Sequence, residues 1–333
     1  NLEPILSLNL SVFMVLFSAA MWGSWAISLK YLRNYPLDGF FITVLTTSVV
    51  FVWTVGFILD GAALTQNIIE IYRLDPLRVV LTVASGMVYI QGVRLSLMVQ
   101  KVIGLSLAQP IQSSIILLSG TVVSGLVGGI PEGASLGNIL LGSLVLILAV
   151  TSGMFAGYYR SENHTTEGIQ FSKGDLRQAI KYVILTSMLI PTYTFGLSFG
   201  LKSATHSQGL AVLPFMALLA TGAFIGALIS SGYVLTKRKQ WRRVLSATIF
   251  IHSLGVTSGL FHYGGNVIHA FATAELSTVI SWPLGLTGGL WTQLWGLVYG
   301  EFKGSGHRAY IALALAIVFY LLGAFLIANT LYQ

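Results

Sequence analysis

The sequence predicts an all-α integral membrane protein with about ten transmembrane helices in two inverted five-helix repeats. Three observations carry that expectation. Hydrophobic residues fill 55% of the 333 positions and charged residues only 9%, against roughly 25% charged in a soluble domain, and mean hydropathy is +0.80. Apolar stretches of about 20 residues, enough to cross a hydrocarbon core of roughly 30 Å, recur along the whole chain. Finally, a shift of 173, the offset from Gly23 to Gly196, also carries Gly86 onto Gly259, Gly92 onto Gly265 and Pro110 onto Pro283.

Hydropathy places the spans near 8–30, 38–60, 79–99, 104–127, 136–158, 180–201, 208–235, 245–270, 276–300 and 308–330. No interval between them is large enough for a water-soluble domain, so one polytopic bundle is expected. The first span lacks a basic n-region and a small-residue cleavage site and runs into Lys30, which reads as a mature helix rather than a signal peptide. Loops after odd-numbered spans hold Lys30, Arg33, Lys101, Arg160, Lys173, Arg177, Lys181, Lys237, Arg238, Lys239, Arg242, Arg243, Lys303 and Arg308, most of the 18 basic residues; the other loops hold Arg73, Arg78 and Lys202. The positive-inside rule then puts both termini outside, in a plasma membrane. The run Lys237-Arg238-Lys239-Gln240-Trp241-Arg242-Arg243 reads as a cytoplasmic anchor with a tryptophan at the interface. The formal charge of +7 is scattered over these short loops and offers no face to nucleic acid. Cysteine is absent from the sequence, which excludes disulfides, thiolate catalysis and thiol-ligated zinc. A glycosylation sequon, Asn163-His164-Thr165, falls in a loop expected to be cytoplasmic.

The offset of 173 spans five helices, and an odd number per half forces the halves to insert with opposite orientation. The expected division is residues 1–160 and 180–333, joined by a cytoplasmic loop over 161–179, with a solute site near the midplane between the halves. Close helix packing accounts for many of the 36 glycines, but not for the matched prolines.

A polar side chain in lipid is costly unless it meets a partner or a wet cavity, so intramembrane polar residues are the candidates for a site. In span eight His262, Asn266 and His269 follow at spacings of four and three, on one helical face with Gly255 and Gly259. The repeat equates His262 with Tyr89, which is followed by Gln91 and Arg94 in span three, so spans three and eight are expected to face each other across a cavity. Spans four and nine carry Gln109-Pro110-Ile111-Gln112-Ser113-Ser114 and Ser281-Trp282-Pro283. There Gln109 and Gln112 either re-satisfy backbone freed by proline or touch solute. Trp22 and Trp25, on the inner half of span one, read as cavity lining. Arg94 either snorkels or donates to solute, and Glu301 is expected to be solvated at the cytoplasmic end of span nine. The middle of each predicted span lacks Asp and Glu, which leaves coupling to a proton or sodium ion, where it occurs, to His252, His262 or His269. Two imidazoles seven residues apart without a carboxylate make a weak metal signature, and there is no phosphate-cradling glycine loop. No metal or cofactor is expected.

Three segments together resemble a known family: Trp22-Gly23-Ser24-Trp25, Gly265-Asn266, and Trp295-Gly296-Leu297-Val298-Tyr299-Gly300-Glu301-Phe302-Lys303. They are similar to the drug/metabolite transporter superfamily, in its branch of glucose/ribose porters, rhamnose-proton symporters and ureide permeases. The resemblance implies two inverted five-helix halves, a central solute cavity and uptake. Where the family sometimes repeats the glycine-asparagine pair in the first half, this chain has Gly92-Val93, with Arg94 next to it.

The expected function is therefore secondary transport, not enzymatic catalysis, of a small, mostly neutral polar solute, a sugar or a ureide/nucleobase-like compound, by alternating access. Trp22, Trp25, Tyr89 and Trp282 offer flat faces for a ring, and Gln91, Gln109, Gln112, His262 and Asn266 offer donors and acceptors without net charge. The alternative is export of amphipathic drugs or metabolites. A receptor or intramembrane enzyme finds less support, since the sequence offers no paired carboxylates, no nucleophile–base pair and no soluble sensor domain. The expected partners are the solute, the bilayer and a coupling ion.

Overall fold

Long apolar runs without period-two alternation have one way to satisfy their backbone in lipid, the helix. The computed structural model describes the backbone of residues 7–103, 105–163 and 173–332, with the side chains of these except 101–111, 161–163, 173, 175 and 176. It is 85% helix with no strand among the described residues. The residues His164 and Thr165 of the sequon, and the side chains of Gln109 and Pro110, lie outside the described set.

Among the described residues, seven segments are long and apolar enough to cross a membrane: Leu8–Tyr31, Leu37–Asp60, Pro76–Gln100, Leu136–Arg160, Arg177–Gly200, Val212–Lys237 and His307–Tyr332. We number the α-helices in chain order: α1 (Leu8–Ser24), α2 (Leu37–Asp60), α3 (Ala62–Leu74), α4 (Pro76–Ile103), α5 (Leu105–Gly128), α6 (Leu136–Asn163), α7 (Lys173–Leu189), α8 (Thr192–Gly200), α9 (Val212–Lys237), α10 (Trp241–Leu245), α11 (Ile249–Leu276), α12 (Thr278–Gly285), α13 (Gly288–Val298) and α14 (His307–Asn329). The sequence expects three spans beyond the seven, and each is helical but less simply apolar. In α5 the apolar stretch with described side chains is Gln112–Gly128. The 28-residue α11 carries His252, Ser258, His262, Asn266, His269 and Thr273. The ninth is broken into α12 and α13 at Leu286-Thr287, two residues beyond the Pro283-Leu284 pair.

Two other spans are also interrupted. Span one leaves the α-helix at Ser24 and continues as a 3₁₀ segment over Trp25–Tyr31. Ser258 of α11 holds that segment, its hydroxyl donating to the Trp25 carbonyl at 2.6 Å and lying in hydrogen-bond contact with Ser28 Oγ at 2.7 Å. Span six breaks between α7 and α8 at Ile190-Pro191, where proline has no N–H to continue the ladder. The connection between spans two and three is the amphipathic α3, which covers Gly56 with the buried Leu64 and leaves Ile69, Tyr72 and Leu74 exposed. That is the pattern of a helix lying at a membrane interface, where the sequence reading placed only a loop.

The tightest crossing joins α4 to α9. A Cβ at Gly222 would stand 2.0 Å from the Val83 carbonyl oxygen, and one at Gly86 2.3 Å from that of Leu219, so the backbones touch and only glycine fits. Helix α2 packs on α9 and on α11, α11 on α1, and α14 on α6. The large buried cluster centred on Phe40, Phe41, Tyr89, Phe215, Tyr263 and Trp282 runs through the α2, α4, α9, α11 side. The α6–α14 pair belongs to a second one with Leu146 and Tyr320.

Candidate functional site

The helix breaks and small residues leave room for a cavity of about 180 Å³ in the middle of the bundle. Its walls come from α1 and the 3₁₀ segment (Trp22, Trp25), α4 (Tyr89, Val93, Ser96, Gln100), α5 (Gln112, Ser113, Ile116), the break in span six (Ile190, Tyr193), α11 (His262, Asn266) and α12 with its following turn (Trp282, Leu286). The four α4 residues follow at spacings of four, three and four, one continuous helical face.

Hydrogen-bonding atoms without a protein partner converge on this cavity. Both ring nitrogens of His262, the Asn266 Nδ2, the Gln112 Nε2, the Gln100 Oε1 and the Tyr193 hydroxyl are buried and make no hydrogen bond within the protein. All belong to cavity-lining residues. Buried polar groups in folded proteins are overwhelmingly paired, so a cluster of unpaired ones on several walls of one cavity marks a place suited to something polar.

The surrounding contacts fix how those groups are presented. The Trp22 indole N–H donates to Asn266 Oδ1 at 2.9 Å, which directs the amide NH2 of Asn266 elsewhere. Trp25 stacks edge-on against the His262 ring with centroids 4.6 Å apart, and Tyr193 lies 5.8 Å from Trp282 and 5.1 Å from Tyr89. Ser96 donates to Gln112 Oε1 at 2.8 Å. The Tyr89 and Tyr263 hydroxyls are hydrogen-bonded to each other and join α4 to α11. Helices α4 and α11 therefore touch at this point, with Tyr263 rather than its neighbour His262 bonded to Tyr89.

From Tyr89 to Gln100 the lining follows α4 for about three turns toward the end of the bundle that carries the basic loops. A smaller adjoining cavity of about 90 Å³ shares Trp22, Trp25, Gln100 and Ser113 with the first and ends at Lys30, Arg160 and Glu301. Glu301 is not simply solvated, as the sequence reading expects. It pairs with both Lys30 and Arg160, its side chain only 31% exposed, and so ties the ends of spans one, five and nine. Around it the segments 23–31 and 292–301 meet. Trp295 Nε1 donates to Ser24 Oγ at 2.8 Å, Thr292 Oγ1 to the Gly23 carbonyl at 3.3 Å, and Tyr299 and Tyr31 share a hydroxyl hydrogen bond of 2.7 Å.

Of the sequence-nominated residues, the structure brings Trp22, Trp25, Tyr89, Gln112, His262, Asn266 and Trp282 together around the cavity. Gln91 and Arg94 do not line this cavity. Two and five residues beyond Tyr89, they point about 200° and 140° around the helix from it and serve packing. Gln91 Nε2 donates to the Gly226 carbonyl at 2.9 Å. Arg94 Nε lies 2.7 Å from Asp38 Oδ1, which also accepts from Ser231 Oγ at 2.7 Å, a clamp joining α2, α4 and α9. His269 is fully buried outside the cavity wall, its Nε2 2.9 Å from the Ser281 carbonyl oxygen. His252 stands in the first turn of α11, ten residues and so about 15 Å from His262. Tyr193, Ser96 and Gln100 were missed, although the last two repeat with Tyr89 at helical spacing. Compared with known proteins, the chain matches no family model, and no curated protein sequence matches it.

Proposed function

We propose that the chain is a secondary transporter that takes up a small, mostly neutral polar solute by alternating access. The single observation behind this reading is the convergence of unpartnered neutral donors and acceptors, from Gln100, Gln112, Tyr193, His262 and Asn266, on a ring-lined cavity inside an apolar helical bundle. Amides, imidazole and phenol suit hydroxyls, amides and ring nitrogens, and a sugar or ureide/nucleobase-like compound offers these with no net charge. Trp22, Trp25 and Trp282 supply the flat faces.

The ten-span reading with inverted halves draws support from paired contacts. Gly86 of span three abuts span seven at Leu219, and its counterpart Gly259 of span eight abuts span two at Val44. Gly92 of span three abuts span six at Ile190, and its counterpart Gly265 of span eight abuts span one at Trp22. A two-fold exchange of halves turns each contact into the other, the arrangement alternating access uses. Both termini outside and the cavity facing the cytoplasm follow from the basic loops. These features fit the drug/metabolite transporter superfamily. His262 is the one of the three nominated histidines that lines the cavity, so proton coupling, where a pH gradient drives transport, runs through it.

A thermal-shift screen of the purified protein against sugars, ureides, nucleobases and amphipathic quaternary amines tests the reading. A ligand that binds only the folded state raises apparent stability, by about 2.7 kcal/mol at a hundredfold excess over Kd. Stabilisation by a neutral polar compound, lost in Asn266→Ala, is the expected result. Stabilisation by the amines alone would favour export of amphipathic compounds instead.

A further inference from the structure

A second cavity, lined by none of the residues of the candidate solute site, lies at the end of the bundle that carries the basic loops. It measures about 500 Å³, is open on one side, and is bordered by the connection between spans one and two, the end of α4, the face of α7 and the segment after α9. Three arginines line it, Arg33 from the first of these and Arg238 and Arg243 from the last. None of the three is in an ion pair among the described residues. Arg243 donates to the Asn34 carbonyl, which fixes one edge of its guanidinium against the facing loop. Among the described residues, the one carboxylate on the wall is Asp38, which is engaged by Arg94 and Ser231.

A second feature is independent of the charge. Tyr35 is 8% exposed and lines this cavity, and its buried hydroxyl has no hydrogen-bond partner in the protein. The wall thus combines guanidinium groups, which only donate, with a phenolic O–H that can donate as well, and suits a ligand rich in acceptors and negative charge. Arginine's planar fork matches phosphate oxygens two at a time. The volume exceeds that of a bare ion and leaves space for an organic body against Leu37, Met98 and Tyr182.

We propose that this cavity binds an anionic organic phosphate ester through Arg33, Arg243 and the Tyr35 hydroxyl, with Arg238 at its rim. The ester is the headgroup of an acidic phospholipid or a soluble phosphate ester, and the two share the chemistry that the wall reads. The basic segment after α9 is then a binding element rather than a general membrane anchor. The proposal does not depend on what the central cavity carries.

The test has two arms, each at ionic strength matched with chloride so that plain screening is held constant. In the first, thermal unfolding of the purified protein in detergent is followed with increasing glycerol 3-phosphate. In the second, it is followed in nanodiscs of phosphatidylcholine with and without phosphatidic acid. Stabilisation in the first arm identifies a soluble ester; stabilisation in the second alone identifies a lipid. In either case Arg33→Gln and Arg243→Gln should each weaken the half-saturating concentration by about tenfold or more, the usual loss for a hydrogen bond to a charged group. Tyr35→Phe should weaken it by less, and Lys202→Gln, at the opposite end of the bundle, should leave it unchanged. Unaltered stability of wild type in both arms would overturn the proposal. So would an effect that Lys202→Gln reduces as much as the arginine variants do, since that is general charge attraction.

Discussion

Asn266 is held by one atom and offers the other. With its carbonyl oxygen taken by the Trp22 indole at 2.9 Å, its NH2 group and the two free nitrogens of His262 face the same space from one side of α11. Losing one partner of a buried polar contact costs about 1 to 3 kcal/mol, so Asn266→Ala and His262→Ala should each lower solute affinity roughly 5- to 150-fold while the protein still folds. Titration calorimetry with the compound found in the screen measures this. Gln91→Leu is the control. Its side chain bonds the Gly226 carbonyl on α9, so it should alter stability and leave affinity as it was. Unchanged binding in both α11 variants would return these residues to helix packing. The contrast between Tyr89 and Gln91 also shows what the sequence reading could reach at this scale. Residue type picked out polar candidates in span three, but the helical angle decides which of them line a cavity, and Ser96 and Gln100 share the Tyr89 face while Gln91 and Arg94 do not.

The Asp38–Arg94–Ser231 clamp belongs to the scale of elements, because it binds three helices at their basic-loop ends. Both charged side chains are 14% exposed. Removing one partner of a largely buried pair leaves an uncompensated charge, typically at a cost of about 3 to 5 kcal/mol. Asp38→Asn and Arg94→Gln should therefore each lower the unfolding temperature clearly, and the double variant should be less destabilised than the two single effects added together. Additive losses in that thermal-unfolding cycle would mean the two groups are not coupled. The α4–α9 crossing gives a sharper expectation. Gly222→Ala puts a methyl group 2.0 Å from the Val83 carbonyl oxygen, and since backbone cannot step aside as a side chain can, this variant should yield little folded protein by size-exclusion chromatography in detergent.

For the molecule as a whole, the end opposite the basic loops is latched. Thr205 and Ser277 share a hydroxyl hydrogen bond of 2.7 Å, and the Ala204 amide donates to the Ala274 carbonyl at 2.9 Å. Ser277 itself holds the tight junction of α11 and α12 at φ 69°, a conformation costly for a residue with a side chain. If transport requires this end to open, Thr205→Cys with Ser277→Cys, in a chain otherwise free of cysteine, should stop transport on oxidation and restore it on reduction, while solute binding by thermal shift persists. Transport that continues through the oxidised pair would show that this latch does not move. The orientation is tested separately. A single Gln240→Cys should react with an impermeant maleimide only after the membrane is opened.

Composition and the spacing of apolar runs determined the class of this protein, because an apolar run without alternation satisfies its backbone in lipid as a helix and about 20 residues set its length. The candidacy of Trp22, Trp25, Asn266, His262 and Trp282 was legible for a related reason: a polar group deep in an apolar segment is costly unless it meets a partner or a cavity. Tertiary structure alone decided the rest. Which face of α4 looks inward, which carboxylate Arg94 meets, and that Glu301 is clasped by Lys30 and Arg160 all depend on the relative rotation and approach of helices distant in sequence. That rotation is set by backbone contacts such as Gly222 against Val83, and a hydropathy profile, which sees each helix by itself, carries no record of them.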